Sequence, residues 1–284
     1  MRLSLGSAQF GLDYGISNTS GKVNPDTVEE IILTARRNNI SHIDSAPAYG
    51  IAEEVLGSCG IKDFKVTTKV TLKKDSKFSS GVIEESIDAS LERLQINSLH
   101  GVLVHNPEVL FEYGGEAILD ALIRIRNSGL IERVGISVYR PNEMHRLLKL
   151  YDFDIVQVPL SIVDTRFIRP GILEDLRQKK VEVQLRSVFL QGLLLSSKMQ
   201  FSSKFIKWAH YWRELRSFIL QQELSPLEAC VGFARDVSND AQIIVGTESK
   251  AQLLEIIEAY GKASPIFWPN WNCEDEQLLV PSLW

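Results

Sequence analysis

The sequence predicts an α/β fold: a (β/α)8 TIM barrel forming a single domain over residues 1–284. Three observations carry this. Eight apolar, strand-like runs recur along the chain, and helical patterns fill the gaps between them. No Gly-x-Gly-x-x-Gly follows the first run, which counts against a doubly wound sheet, the alternative. A chain of 284 residues suits the barrel, for which about 250 is usual. No linker or low-complexity tract divides it.

The elements follow in order. The first strand is "RLSLGS" (2–7). After Asn24-Pro25, an N-cap followed by proline at N1, Val28, Ile31, Ile32 and Ala35 fall on one helical face. "SHIDSA" (41–46) is the second strand and "FKVTTKV" (64–70) the third. Ile83, Ile87, Leu91 and Leu94 form the next helical stripe. "LHGVLVH" (99–105), "ERVGISV" (132–138), "FDIVQVPL" (153–160) and "VEVQLRSV" (181–188) continue the strands. They are near-continuous in Val, Ile and Leu, as strands covered on both faces should be. About fifty residues then intervene. "FSSKFIKWAHYWRELRSFILQQ" (201–222) reads as one long amphipathic helix with Phe205, Trp208, Trp212 and Leu215 as a packing stripe. "SPLEACVGFARDV" (225–237) follows it. "AQIIVGT" (241–247) is the last strand, followed by a helix through Leu253, Leu254 and Ile257. The aromatic, proline-rich tail (265–284) reads as irregular, placed to cover the barrel or cross its mouth.

Composition narrows the function classes. The chain is 44% hydrophobic and 24% charged, ordinary for a globular protein. A net charge of -5 leaves no basic surplus for nucleic acid. Cys59, Cys230 and Cys273 are scattered, with no paired or zinc-ligand spacing, so reduced thiols and no metal are expected. No stretch has the apolar length of a signal peptide or membrane span. These features place the protein in the cytoplasm, away from membranes.

In a barrel, chemistry sits at the C-terminal ends of the strands. Asp44 and Tyr49 end the second strand and open its loop. Lys69 ends the third, and His105 the fourth. Singly, each has a bland reading: a cap, a packed ring, a solvated lysine, a turn histidine. Consecutive strands, however, deliver all four to one rim.

These four residues resemble the catalytic tetrad of the aldo-keto reductases, in order and strand position. "LGSAQFG", "IDSAPAYG", "LVHNP", "GLIERVGIS" and "IVGTESKAQLLE" resemble family motifs over nearly the whole chain. The resemblance implies hydride transfer from a nicotinamide cofactor to a small-molecule carbonyl substrate. Tyr49 would donate the proton. A free phenol has a pKa of about 10, and a Lys69 cation is expected to lower it. Asp44 would hold Lys69, and His105 would stabilise charge on the carbonyl oxygen.

The resemblance also implies cofactor contacts. Ser137 and Gln157 match residues that bind the nicotinamide carboxamide, and Gly6, Ser7 and Asp44 are further cofactor-binding candidates. Val138 stands where the family commonly has Asn, and Arg186 where many members stack an aromatic ring; a guanidinium plane can also stack. Ser187, Leu190 and Gly192 match the cofactor loop. Gly246, Thr247 and Ser249 lie at the phosphate site, where a helix N-terminus can receive an anion. Gln252 and Glu255 match the adenosine end. Family positions often filled by Lys and Arg are here Gly246 and Gln252, Glu248 adds negative charge, and Lys250 is the only close cation. NADPH is therefore expected with modest preference over NADH.

Two other readings stay open: a cofactor-binding regulatory subunit, and a Schiff-base isomerase or lyase using Lys69. The chain also resembles bacterial members that accompany surface-sugar biosynthesis, implying a carbohydrate substrate. Trp208, Trp212, Trp268 and Trp271 are candidate pocket-lining residues. Oligomeric state is not readable.

Overall fold

A computed structural model describes residues 1–72, 80–112, 114–168, 171–238, 240–262, 267–271 and 273–284. Parts of the tail (265, 266 and 272) lie outside the described residues. Eight parallel strands close into a barrel in chain order. They are β1 (Leu3–Gly6), β2 (His42–Asp44), β3 (Lys65–Val70), β4 (Leu99–Val104), β5 (Ile131–Ser137), β6 (Ile155–Pro159), β7 (Glu182–Arg186) and β8 (Gln242–Gly246). Each falls within the predicted run, except that β5 begins one residue earlier. The closing pair aligns Leu3 with Ile243 and Gly6 with Gly246.

The helix predicted after Asn24-Pro25 forms for the expected reasons. The helix Pro25–Arg37 starts at Asn24, whose side chain accepts the Thr27 N–H, and buries Val28, Ile31, Ile32 and Ala35. The helix Pro226–Val237 opens with a capping box between Ser225 and Glu228. Deleting the buried residues of such a face would cost both transfer free energy and cavity formation.

The region 201–222 departs from the expectation of one long helix. A 3-10 turn at Ile206–Trp208 precedes an α-helix over Ala209–Gln221. A continuous helix would offer the Phe205 carbonyl to residue 209. That carbonyl instead accepts from the Trp208 N–H (3.2 Å) and the Trp212 indole (3.1 Å). The stripe itself packs as expected, with Phe205, Trp208, Trp212 and Leu215 all buried. The tail docks beside it: Trp208 Nε1 donates to Asp275, and Arg140 grips Glu276 through Nε at 2.6 Å. Trp268 meets Phe218 and Phe233, so the described part of the tail covers this insertion.

The N-terminal end of the barrel is polar. His100 lies between Glu132 (3.0 Å) and Glu182 (2.9 Å), and Arg133 also reaches Glu182. Ligand atoms of His42, His100 and Glu182 lie within 4.8 Å of one another. The Glu182 carboxylate is already engaged by His100 and Arg133, so an ion network accounts for the grouping.

Close backbone approach dictates Gly135 in β5. A methyl group there would overlap the Ile155 carbonyl of β6. Gly135→Ala is expected to destabilise the fold by about 3 kcal/mol, the upper range of overpacking. Gly261→Ala, which meets nothing within 4 Å, should stay within about 0.5 kcal/mol. Denaturant midpoints of the two variants check this.

Candidate active site

Asp44, Tyr49, Lys69 and His105 converge on one cavity of about 630 Å³ at the C-terminal rim. Their arrangement starts from a buried ion pair. Lys69 Nζ donates to Asp44 Oδ1 at 2.7 Å, the Ser45 carbonyl at 2.9 Å and Tyr49 Oη at 3.2 Å. An ammonium has three donors, and all three have acceptors here. Since Lys69 donates to the phenol oxygen, the Tyr49 proton is left for another acceptor.

Asp44 is the hub of a wider network. Its Oδ1 also accepts from Gln157 Nε2 at 2.6 Å. Gln157 Nε2 further donates to Gln184 Oε1 (3.1 Å), and Gln184 Nε2 to Thr67 Oγ1 (3.1 Å). The chain of amides links β2 and β3 to β6 and β7 through the barrel interior. Such low-dielectric networks stabilise only when every member is satisfied. Gln157 is fully buried and its amide N–H groups are used here; its Oε1 accepts weakly from Ser137 Oγ at 3.3 Å.

Backbone packing places Tyr49. The Tyr49-Gly50 turn lies against Gly11 in the β1 loop, and a methyl group at Gly11 would overlap the Tyr49 carbonyl. Gly50 has φ +61 and would overlap the Gly11 carbonyl in return.

The electrostatics correct one sequence expectation. The Tyr49 phenol is pushed up, not down. Burial is the main cause, the neighbouring Asp44 carboxylate adds to it, and Arg186 opposes. Burial also lowers the Lys69 ammonium, with Asp44 opposing. The lysine's charge is thus largely spent on Asp44. His105 is lowered to about 4, first by burial and then by Lys69. At neutral pH it is an uncharged imidazole whose Nδ1 sits 3.1 Å from Thr71 Oγ1.

The cofactor-site expectations divide. Gly6, Ser7, Ser137, Gln157, Arg186, Ser187, Gly192, Gly246, Thr247, Gln252 and Glu255 line the cavity. Leu190 does not; it is buried in the core. Ser249 does not line it either: its Oγ caps the helix Lys250–Gly261 by accepting the Gln252 N–H. Arg186 lies over the Tyr139 ring at 3.8 Å and donates to the Val138 carbonyl and Ser187 Oγ. None of the four candidate tryptophans lines the cavity.

Sequence reasoning missed Tyr14, Tyr139 and Gln191, which also line it. Burial pushes Tyr14 up to about 12. Tyr139 follows Val138 directly, so its place after β5 was a usable signal. Ser187, Leu190 and Gln191 have φ of 66, 47 and 55. Non-glycine residues rarely adopt these values, and they concentrate at functional loops.

A closed parallel barrel with a polar cavity at its C-terminal rim defines a class of barrel enzymes and binding proteins. The aldo/keto reductase family model matches residues 2–265, and the chain belongs to that family. It is 26% identical over 187 residues to the aldo-keto reductase YhdN of Bacillus subtilis (strain 168), covering 61% of this chain and 55% of that one. It is 28% identical over 195 residues to the 6-dehydroglucose reductase of Agrobacterium fabrum, covering 61% and 64%. The match thus spans less than two thirds of either relative. The glycerol dehydrogenase AKR11B4 from Gluconobacter oxydans shares the fold with TM-score 0.69 at 19% identity, covering 93% and 87% of the chains. The aldo-keto reductase AKR11C1 from Bacillus halodurans gives 0.68 at 20%, covering 94% and 88%.

Two outcomes follow from the buried charges. Lys69→Met should cost about 3–5 kcal/mol, because it strands the Asp44 carboxylate, and adding Asp44→Asn should restore most of it. A denaturant double-mutant cycle measures this. His105 should titrate by NMR near pH 4. Its folded pKa lies below the ordinary 6.5, so its contribution to stability is lost as pH falls from about 6.5 to about 4. His105→Gln should remove that part of the pH dependence.

Proposed function

We propose that the chain is a nicotinamide-nucleotide-dependent oxidoreductase reducing an aldehyde, ketone or sugar carbonyl to an alcohol. The observation that carries this reading is the direction of the Lys69–Tyr49 contact: a buried ammonium donating to the phenol oxygen at 3.2 Å. The phenol O–H is then oriented away from the lysine and available to a substrate oxygen.

The cavity fits a dinucleotide. It runs from Ser137 and Gln157, near the proposed acid, to Gln252 and Glu255 on the helix Lys250–Gly261. Ser137 Oγ and Gln157 Oε1 would hold the carboxamide, and Arg186 would offer its guanidinium plane. The bound nucleotide would supply hydride.

The chain's own residues handle the proton. Tyr49 delivers it to the carbonyl oxygen as charge develops there. A phenol with a raised pKa is a poor spontaneous acid, so the adjacent ammonium matters as the O–H bond breaks: it stabilises the phenolate left behind. Asp44 keeps the ammonium in place. Neutral His105, presenting an N–H from Nε2 when Nδ1 accepts from Thr71, donates to the same carbonyl oxygen.

A Schiff-base role for Lys69 has less support, because its amine is buried and engaged by three acceptors. A purely regulatory role would not require this proton-donor geometry. Among the curated relatives are a 6-dehydroglucose reductase and an L-galactose dehydrogenase, which supports a carbohydrate carbonyl.

Tyr49→Phe should lower the rate of carbonyl reduction by at least about 10²–10⁴-fold, the usual contribution of general acid catalysis. Nucleotide affinity should change little, since the phenol acts in the transition state. Single-turnover nucleotide oxidation across aldehydes, ketones and keto-sugars measures both. Wild-type turnover in the variant, with chemistry rate-limiting, would remove Tyr49 from the proposed role.

A further inference from the structure

The far end of the cavity is built unlike its catalytic end. Beyond Gly246 it is lined by Glu228, Glu248, Glu255 and Glu258. Among the described residues, no lysine or arginine lines this stretch. Lys250 opens the helix after β8 without lining the cavity. Lys262 is committed to Glu228 Oε1 at 2.5 Å. Glu228 is itself fixed, its Oε2 accepting the Ser225 N–H at 2.7 Å.

A second observation does not depend on charge. A helix start ordinarily offers free N–H groups to an anion. At this one two of the donors, the Glu248 and Gln252 N–H groups, are already used. Gln252 Oε1 accepts from the Glu248 N–H at 2.7 Å, and Ser249 Oγ from the Gln252 N–H at 3.2 Å. The Thr247 hydroxyl donates to the Ser249 carbonyl at 3.0 Å. A phosphate, which only accepts hydrogen bonds at neutral pH, would find fewer donors here than an uncapped helix start offers, with carboxylates beside them.

We propose that this end of the cavity takes a ribose with free 2′ and 3′ hydroxyls and rejects a 2′-phosphate, so the chain binds NADH in preference to NADPH. The proposal rests on the nicotinamide-dependent reading above and reverses the preference expected from sequence. The chemistry is complementary. Ionised carboxylates are acceptors alone and a diol supplies donors; a carboxylate is the usual partner of an unphosphorylated ribose in dinucleotide sites. The sequence reading weighed only Glu248 and Lys250 on one segment. The fold adds Glu258 from one turn further along, and Glu228 from a different helix, whose charge Lys262 offsets.

Calorimetric titration of the full chain with NADH and with NADPH, at low and high salt, tests this. NADH should bind at least about tenfold tighter at low ionic strength, and the gap should narrow as salt screens the carboxylates. Glu248→Gln should narrow it at fixed salt, and Glu248→Arg should favour NADPH. Equal or tighter NADPH binding by the wild type overturns the proposal and leaves the nicotinamide reading intact. If neither nucleotide binds, that reading is overturned as well. A ratio unmoved by both Glu248→Gln and Glu255→Gln removes the acidic wall as its cause.

Discussion

One buried charge pair constrains the rest of the molecule. Lys69 and Asp44 sit in the mouth of an apolar barrel, 2.7 Å apart and almost inaccessible to water. Desolvating two ions costs several kcal/mol each unless every donor and acceptor is met. The barrel meets them with the Ser45 carbonyl, the Tyr49 phenol and the Gln157 amide. Gln157 then needs Gln184, and Gln184 needs Thr67. One ion pair thus dictates polar residues on strands at opposite sides of the barrel. It also explains why the phenol's proton is free: the lysine has already claimed the oxygen.

Much of this was legible in the sequence. Buried parallel strands carry near-continuous Val, Ile and Leu, so all eight runs stood out, and Asn24-Pro25 announced its helix. The four rim residues were legible because each ended a consecutive strand. What escaped depended on tertiary partners. The break before Ala209 comes from an indole seven residues away taking the Phe205 carbonyl. The upward push on Tyr49 comes from burial and from Asp44, neither visible in a one-dimensional pattern. Gln157 read as a ligand contact, yet its amide also serves the carboxylate across the barrel. Ser249 was weighed as a phosphate ligand and is a helix cap.

The cavity also has a charge gradient along its length. At the rim, Lys69 is offset by Asp44 and His105 is neutral, leaving Arg186, among the described residues, as the remaining cation on the wall. Toward the helix after β8 the wall becomes acidic. The nearer end suits a polar, uncharged reacting group, and the far end suits hydroxyls. Between the two ends lies the loop after β7, where three non-glycine residues hold positive φ.

The contact between Gly11 and the Tyr49-Gly50 turn bears on how this scaffold can be altered. Two loops from different strands touch backbone to backbone, with no side chain between them to absorb a displacement. They therefore behave as one piece, and lengthening either would carry the phenol away from the ammonium. Grafting a new β1 loop from a homologue without its matching β2 loop should misalign the acid even where every side chain of the tetrad is kept. The β7 loop is tied to the same piece, since the Ile16 N–H of the β1 loop donates to the Gln191 carbonyl at 3.1 Å, so a redesigned β7 loop must keep that contact if the chemistry is to stay constant.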